Sequence, residues 1–124
     1  MYATIDDLTK RQDALSIAQL ANDSGEAIHT AAAATAALAA DADIIAVVEQ
    51  YLTDASLYAD SYLNGCLDMT LAANQTAVQE HVCRIALYRM WQRKPRGNGD
   101  LYRMYYEDAE KWLRGVQQRK LKPG

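Results

Sequence analysis

Histidine and cysteine supply the usual metal ligands and nucleophiles, and this chain has two of each. His81 and Cys83 lie two residues apart, a spacing that points them to different faces of a helix. A zinc site would need both to meet His29 and Cys66 from separate segments, and the spacing fits no zinc pattern. Cys83 therefore reads as a small core residue. A nucleophile needs a base and an orienting partner, and no such set is recognisable. The acids Asp6-Asp7 and Asp41/Asp43 read as helix-start residues. Gly97-Asn98-Gly99 lacks the preceding strand and the lysine of a phosphate-binding loop. These residues argue against an enzyme, and no metal or cofactor is expected.

Charge is the stronger signal. Residues 1–83 hold twelve carboxylates and two cations, whereas residues 84–124 hold four and eleven. Such asymmetry speaks about partners more than about fold. Three readings are open: the halves pack together and partly neutralise each other, an acidic face of one copy meets a basic face of the next, or the basic half meets nucleic acid. Arg84, Arg89, Arg93, Lys94 and Arg96 follow closely. They are either cations helped by a helix C-terminus or a phosphate-contacting ridge.

The elements that would position these groups are all helical. With 124 residues, half of them hydrophobic and 23% charged, the chain reads as one domain, residues 1–124, able to bury a core without metal or disulfide staples. The predicted fold class is all-α, a small bundle with a long central helix and short N-terminal helices. Thr4 and Asp7 make a capping-box-like start for a helix from about Ile5 to Arg11, with a second around 14–21. Asn22-Asp23-Ser24-Gly25 breaks the chain. From Glu26 to about Ala40 an almost pure alanine run favours helix, either closely packed or an arm, and residues 25–43 are treated as an alanine-rich arm or insertion. Asp41-Ala42-Asp43 ends one helix and caps the next.

The clearest helix carries Ile44, Val48, Tyr51, Leu52, Ala55, Tyr58, Ala59 and Tyr62 on one stripe and stops at Asn64-Gly65. Residues 66–71 alternate large side chains and read as extended. A helix from about Gln75 is apolar on almost every side, which marks it as central in a bundle or at a subunit contact. It ends at Pro95. The last helix runs from Asp100, the expected N-cap, to about Lys120, and residues 119–124 form a flexible basic tail. The expected core sets Val48, Tyr51, Tyr58 and Tyr62 against Val82, Ile85, Ala86, Tyr105, Trp112 and Leu113. No run of about 18 uninterrupted apolar residues exists, so no membrane is expected as a partner. The acidic N-terminus lacks the positive region and apolar run of a signal peptide, so a cytoplasmic setting is expected.

Several segments, taken in order, resemble one family. Met1-Tyr2-Ala3-Thr4-Ile5-Asp6-Asp7-Leu8 resembles the Met-Tyr-Ala-Thr-x-x-Asp-Leu opening of the phage Mu-type head–tail connector family, formerly a domain of unknown function. Ile17-Ala18-Gln19-Leu20-Ala21-Asn22-Asp23 and Ala59-Asp60-Ser61-Tyr62-Leu63-Asn64-Gly65 are similar to its next two segments. Cys83-Arg84-Ile85-Ala86-Leu87-Tyr88-Arg89-Met90-Trp91 resembles its core helix, and Tyr105 to Leu113, with Ala109 and Trp112, its final helix. Residues 25–50 are longer and richer in alanine than the family's link, and the loop at 66–71 lacks its arginine and proline.

The resemblance implies a virion structural protein, a head–tail adaptor whose copies form a ring, commonly a dodecamer, beneath the portal. Its place would be the virion neck, with assembly in the host cytoplasm. Its partners would be itself, the portal protein and a tail or tail-completion protein, with genomic double-stranded DNA passing nearby. For the contact between copies, the expected acidic side is Glu49, Asp54 and Asp60 and the basic side Arg103, Lys111 and Arg114, with Met90 and Trp91 supplying apolar contact. Arg93, Lys94, Arg96, Arg119, Lys120 and Lys122 are the candidates for portal, tail or DNA proximity. The alternative is a small helical DNA-binding regulator using the basic second half.

Overall fold

The structure, a computed structural model, describes residues 2–24, 26–63, 65–95 and 99–121, with side chains to residue 118. Among the described residues six helices follow one another: α1 (Ile5–Thr9), α2 (Ala14–Ala21), α3 (Ala31–Ala40), α4 (Ala42–Leu63), α5 (Ala72–Arg93) and α6 (Gly99–Leu121). No strand occurs among the described residues. The all-α bundle is therefore as the sequence predicts, and among the described residues no single helix is long and apolar enough to cross a membrane.

Local chemistry sets most helix starts. Thr4 Oγ1 accepts from Asp7 N at 3.3 Å while the Asp7 carboxylate accepts from Thr4 N at 2.9 Å, completing the capping box. Asp13 caps α2 through Ser16 N at 2.9 Å. The alanine helix begins at Ala31 and not at Glu26, because Thr30 Oγ1 accepts from Ala33 N at 3.1 Å. The residues before it are held otherwise: Gln19 Nε2 donates to Ile28 O at 3.1 Å and Asn22 Nδ2 to Glu26 O at 2.7 Å. Asp41 then ends α3 and caps α4, its Oδ1 accepting from Asp43 N and Ile44 N. The two helix axes turn by 78° there. α3 lies against α2 and α4 with Ala34 and Leu38 buried; its small side chains permit close approach.

Gly65 follows α4 at φ 77°, a left-handed conformation that glycine adopts without strain. The segment after it is not extended. It folds into turns because Asp68 Oδ1 accepts from both Thr70 N (2.9 Å) and Thr70 Oγ1 (2.6 Å). Asn74 and Gln75 donate back to the Asp68 and Met69 carbonyls, so α5 begins at Ala72, three residues earlier than its apolar pattern suggests. Asp100 is not the cap of α6 but sits in its first turn, where a carboxylate still favours the positive helix end. Gly99 has a steric reason: a Cβ there would lie 2.6 Å from Trp91 Cζ2.

α5 is the central element, packed against α6, α4, α1 and α2. Val78, Val82, Cys83, Ile85, Ala86, Leu87 and Met90 are buried along it. Leu8, Ile17, Leu52 and Leu113 complete the innermost set. From α4 the core takes Ile44, Val48, Leu52, Ala55, Ala59 and Leu63. The expected core is right for Val48, Val82, Ile85, Ala86 and Leu113, whereas Tyr51, Tyr58, Tyr62, Tyr105 and Trp112 are only half-buried. Their rings line the margin of the core because their polar atoms must reach partners or water.

Candidate functional site

α4 carries Asp43, Glu49, Asp54 and Asp60 and no cation. Its buried residues face the bundle, so Gln50, Thr53, Asp54, Leu57, Asp60 and Ser61, stepped by three and four, cover the outward side. Glu49 and Asp60 are exposed and Asp54 half-exposed. Asp54 accepts from Gln50 Nε2 at 2.9 Å, and Asp60 accepts from the Tyr2 hydroxyl. That bond, more than burial, pushes the Tyr2 hydroxyl up to about 12. Leu57, 64% exposed, stands within this polar surround. It lies off the apolar stripe of α4, so the hydrophobic spacing does not mark it.

On α6, Arg103, Lys111 and Arg114 are all exposed, so both sides of the expected contact are at the surface. From Lys111 onward α6 contains cations and no acid. Arg114 pairs with Glu110 at 3.5 Å, while Lys111 forms no ion pair among the described residues. Glu107, Glu110, Lys111, Arg114, Gly115 and Gln118 enclose a shallow depression of about 510 Å³.

Between these faces runs a seam of aromatic rings. The Tyr58 and Tyr106 hydroxyls both donate to Glu110 Oε1, at 2.7 and 3.0 Å. These bonds, that from Tyr58 first, hold the Glu110 carboxyl below its ordinary range against a weaker opposing effect of burial. Burial, followed by hydrogen bonds to Tyr106, Tyr62 and Glu110, holds the proton on Tyr58. Tyr88 packs on Tyr106 with centroids 4.6 Å apart, and Trp91 lies between Tyr88 and Tyr102.

The basic run of α5 is drawn into this framework. Arg84 lies 5.0 Å over Tyr105, Arg89 4.8 Å over Tyr58 and Arg93 5.8 Å over Tyr51. Arg84 also pairs with Glu80 and Asp108. Arg93 grips both Asp23 oxygens, at 2.7 and 2.9 Å, and Lys94 lies 3.8 Å from the same carboxylate. Arg93, the nearer and doubly bonded cation, holds the Asp23 carboxyl down first of all. Here the acidic and basic halves do neutralise each other. Arg93 and Lys94, expected to face a partner, thus have intrachain partners.

Met90 is corrected outright: it is fully buried in the chain's own core, because α5 is central and that position faces inward. Trp91 is half-buried and covers Gly99. Arg96 and Lys122 lie outside the described residues, as do the side chains of Arg119 and Lys120.

Among the described residues no group of three His, Cys, Asp or Glu could hold a metal. Burial pushes the Cys83 thiol up to about 12, which leaves almost no thiolate near neutral pH. The fold is that of a small all-helical domain. The family model described as Bacteriophage Mu, Gp36 matches residues 2–124, and the chain belongs to that family. It is a phage structural or morphogenesis protein. No curated protein and no solved structure matches the chain.

Proposed function

We propose that this protein is a head–tail connector, a ring of identical copies beneath the portal that joins the DNA-filled head to the tail. The observation that carries the reading is the pair of unlike exposed faces. An α4 without cations and a C-terminal half of α6 without acids suit a contact in which each copy shows two different surfaces to its neighbours. Head-to-tail contacts of that kind close into rings when the rotation is right. Glu49, Asp54 and Asp60 of one copy meet Arg103, Lys111 and Arg114 of the next. Each exposed pair contributes only about 0–1 kcal/mol, so charge sets register more than affinity. A dodecamer, a portal above and a tail protein below follow from the sequence resemblance, as do the neck of the virion and assembly in the host cytoplasm. Arg119, Lys120 and Lys122 are the candidates to meet the portal, the tail or the DNA passage.

The engagement of Arg84, Arg89 and Arg93 by tyrosine rings and carboxylates favours this reading over a DNA-binding regulator, whose phosphate ridge would need them outward. The test is assembly onto portal-bearing heads that lack this protein. The unaltered chain should load as a ring visible by negative stain and let tails join. Lys111→Glu with Arg114→Glu should lose loading, most strongly at low salt. Heads that join tails without the protein would overturn the connector role, and normal loading of the double variant across salt would overturn the interface.

A further inference from the structure

The turn after α4 forms one wall of an open groove. Tyr2, Asp60, Leu63, Gly65, Leu67 and Met69 line a volume of about 310 Å³ there. Leu63 is buried and Leu67 and Met69 are half-buried, so the inside is apolar. Asp60 stands exposed at the edge, with the Tyr2 hydroxyl donating to it, and is the one charged residue of the described lining. Asp68, exposed in the same turn, adds a second carboxylate. Hydrogen bonds from the Thr70 hydroxyl, and then from its N–H, hold that carboxyl below its ordinary range. Leu71, 55% exposed, carries the apolar surface on to the start of α5. No Lys or Arg occurs from residue 12 to residue 83. The groove is apolar with an acidic margin.

We propose that the basic end of the chain, residues 119–122 of a neighbouring copy, docks in this groove, with Leu121 inside it and Arg119, Lys120 and Lys122 beside the carboxylates. The segment matches the groove in both respects. After Val116 the chain holds one large apolar residue, Leu121, together with three cations and no acid. Burial of the leucine supplies affinity, and the charges set orientation. The occupant comes from another copy because α6 of the same copy lies across α4 from the groove. Tyr58 reaches Glu110 of α6, whereas Asp60, two positions on, points about 200° away around the helix. α6 continues as helix through Leu121 on that far side. Groove and tail also carry on from the proposed contact between copies, since the one follows Asp60 along the chain and the other follows Arg114. They are different surfaces, so the contact is head-to-tail and each copy uses both. This rests on the connector reading and deepens it, giving the basic tail a second copy as its partner.

The experiment uses the full chain and portal-bearing heads. In a Cys66→Ser background, Met69→Cys combined with Leu121→Cys is loaded onto heads and treated with a short bis-maleimide. A ladder of covalently joined copies is expected, and neither single variant should give one. Leu121→Asp should weaken loading about tenfold through the lost burial of one leucine, while keeping the circular dichroism and thermal midpoint of the parent. A loaded ring that gives no ladder, or links only within one copy or only to the portal or a tail protein, overturns this contact and leaves the connector standing. Full loading of Leu121→Asp does the same, and so does a lowered midpoint, which would place Leu121 in the core of its own copy. Failure of the unaltered chain to load overturns the connector reading itself.

Discussion

The His81 imidazole lies nearly flat on the Trp112 indole, with centroids 4.5 Å apart and planes 22° from parallel, joining α5 to α6. Its Nδ1 is buried with no hydrogen-bond partner among the described residues. Burial, with Arg84 nearby, holds the ring's proton affinity below the usual histidine range, and Glu80 and Asp108 oppose this only in part. The unfolded chain therefore binds a proton at His81 before the folded chain does. This contribution to stability is complete above about pH 6.5 and is lost as pH falls below it. The thermal midpoint should drop between pH 7 and pH 5.5, and His81→Phe, which keeps the stacking, should flatten that slope.

Ile85 is fully buried at the centre of α5. Ile85→Ala should cost about 2–5 kcal/mol in urea unfolding through lost burial and the cavity left behind. Leu57→Ala, on the outward face of α4, should change the isolated chain by less than about 0.5 kcal/mol. Equal losses for the two would contradict this assignment of inside and outside.

Tyr58 holds Glu110 across 52 residues of chain. Tyr58→Phe removes that donor and leaves Tyr106 in place, so about 1 kcal/mol of stability should be lost. The Glu110 carboxyl should also titrate at higher pH, since its main depressing contact is gone. Carbon-detected NMR titration reads this directly; an unmoved carboxyl would show that the bond has no weight in solution.

Arg93 joins Asp23, the Leu20 carbonyl and the Tyr51 ring. The carboxylate is more than half exposed, so a double-mutant cycle of Arg93→Ala and Asp23→Ala should give a coupling of less than about 1 kcal/mol. Arg93→Lys should not restore it, since an ammonium cannot bond both oxygens in the same fork while lying over the ring.

His29, Cys66, His81 and Cys83 do not form a ligand set. A chelator should therefore leave the thermal midpoint unchanged, and elemental analysis should find no stoichiometric zinc. Metal released on unfolding in a one-to-one ratio would contradict this.

What the sequence determined by itself is the part written in near neighbours. The capping box at Thr4 and Asp7, the stop at Gly65, the turn at Asp41 and the apolar girth of α5 depend on residues a few positions apart, and all are seen. So is the opposition of charge between the halves. Short-range bonds also decided what periodicity misread: side chains of Thr30 and Asp68 set a helix start and a turn where hydrophobic spacing suggested helix and extension.

Only the tertiary structure decided which faces remain outside. Met90 and Trp91 look alike as apolar neighbours in sequence, yet one is sealed in the core and the other covers Gly99. Arg84, Arg89 and Arg93 look like a free basic ridge until α4 and α6 bring tyrosine rings beneath them. Leu57 has no local pattern to mark it: α4 packs on α5 and α6 through Leu52, Ala55, Ala59 and Leu63, which turns this one large apolar side chain of the helix outward.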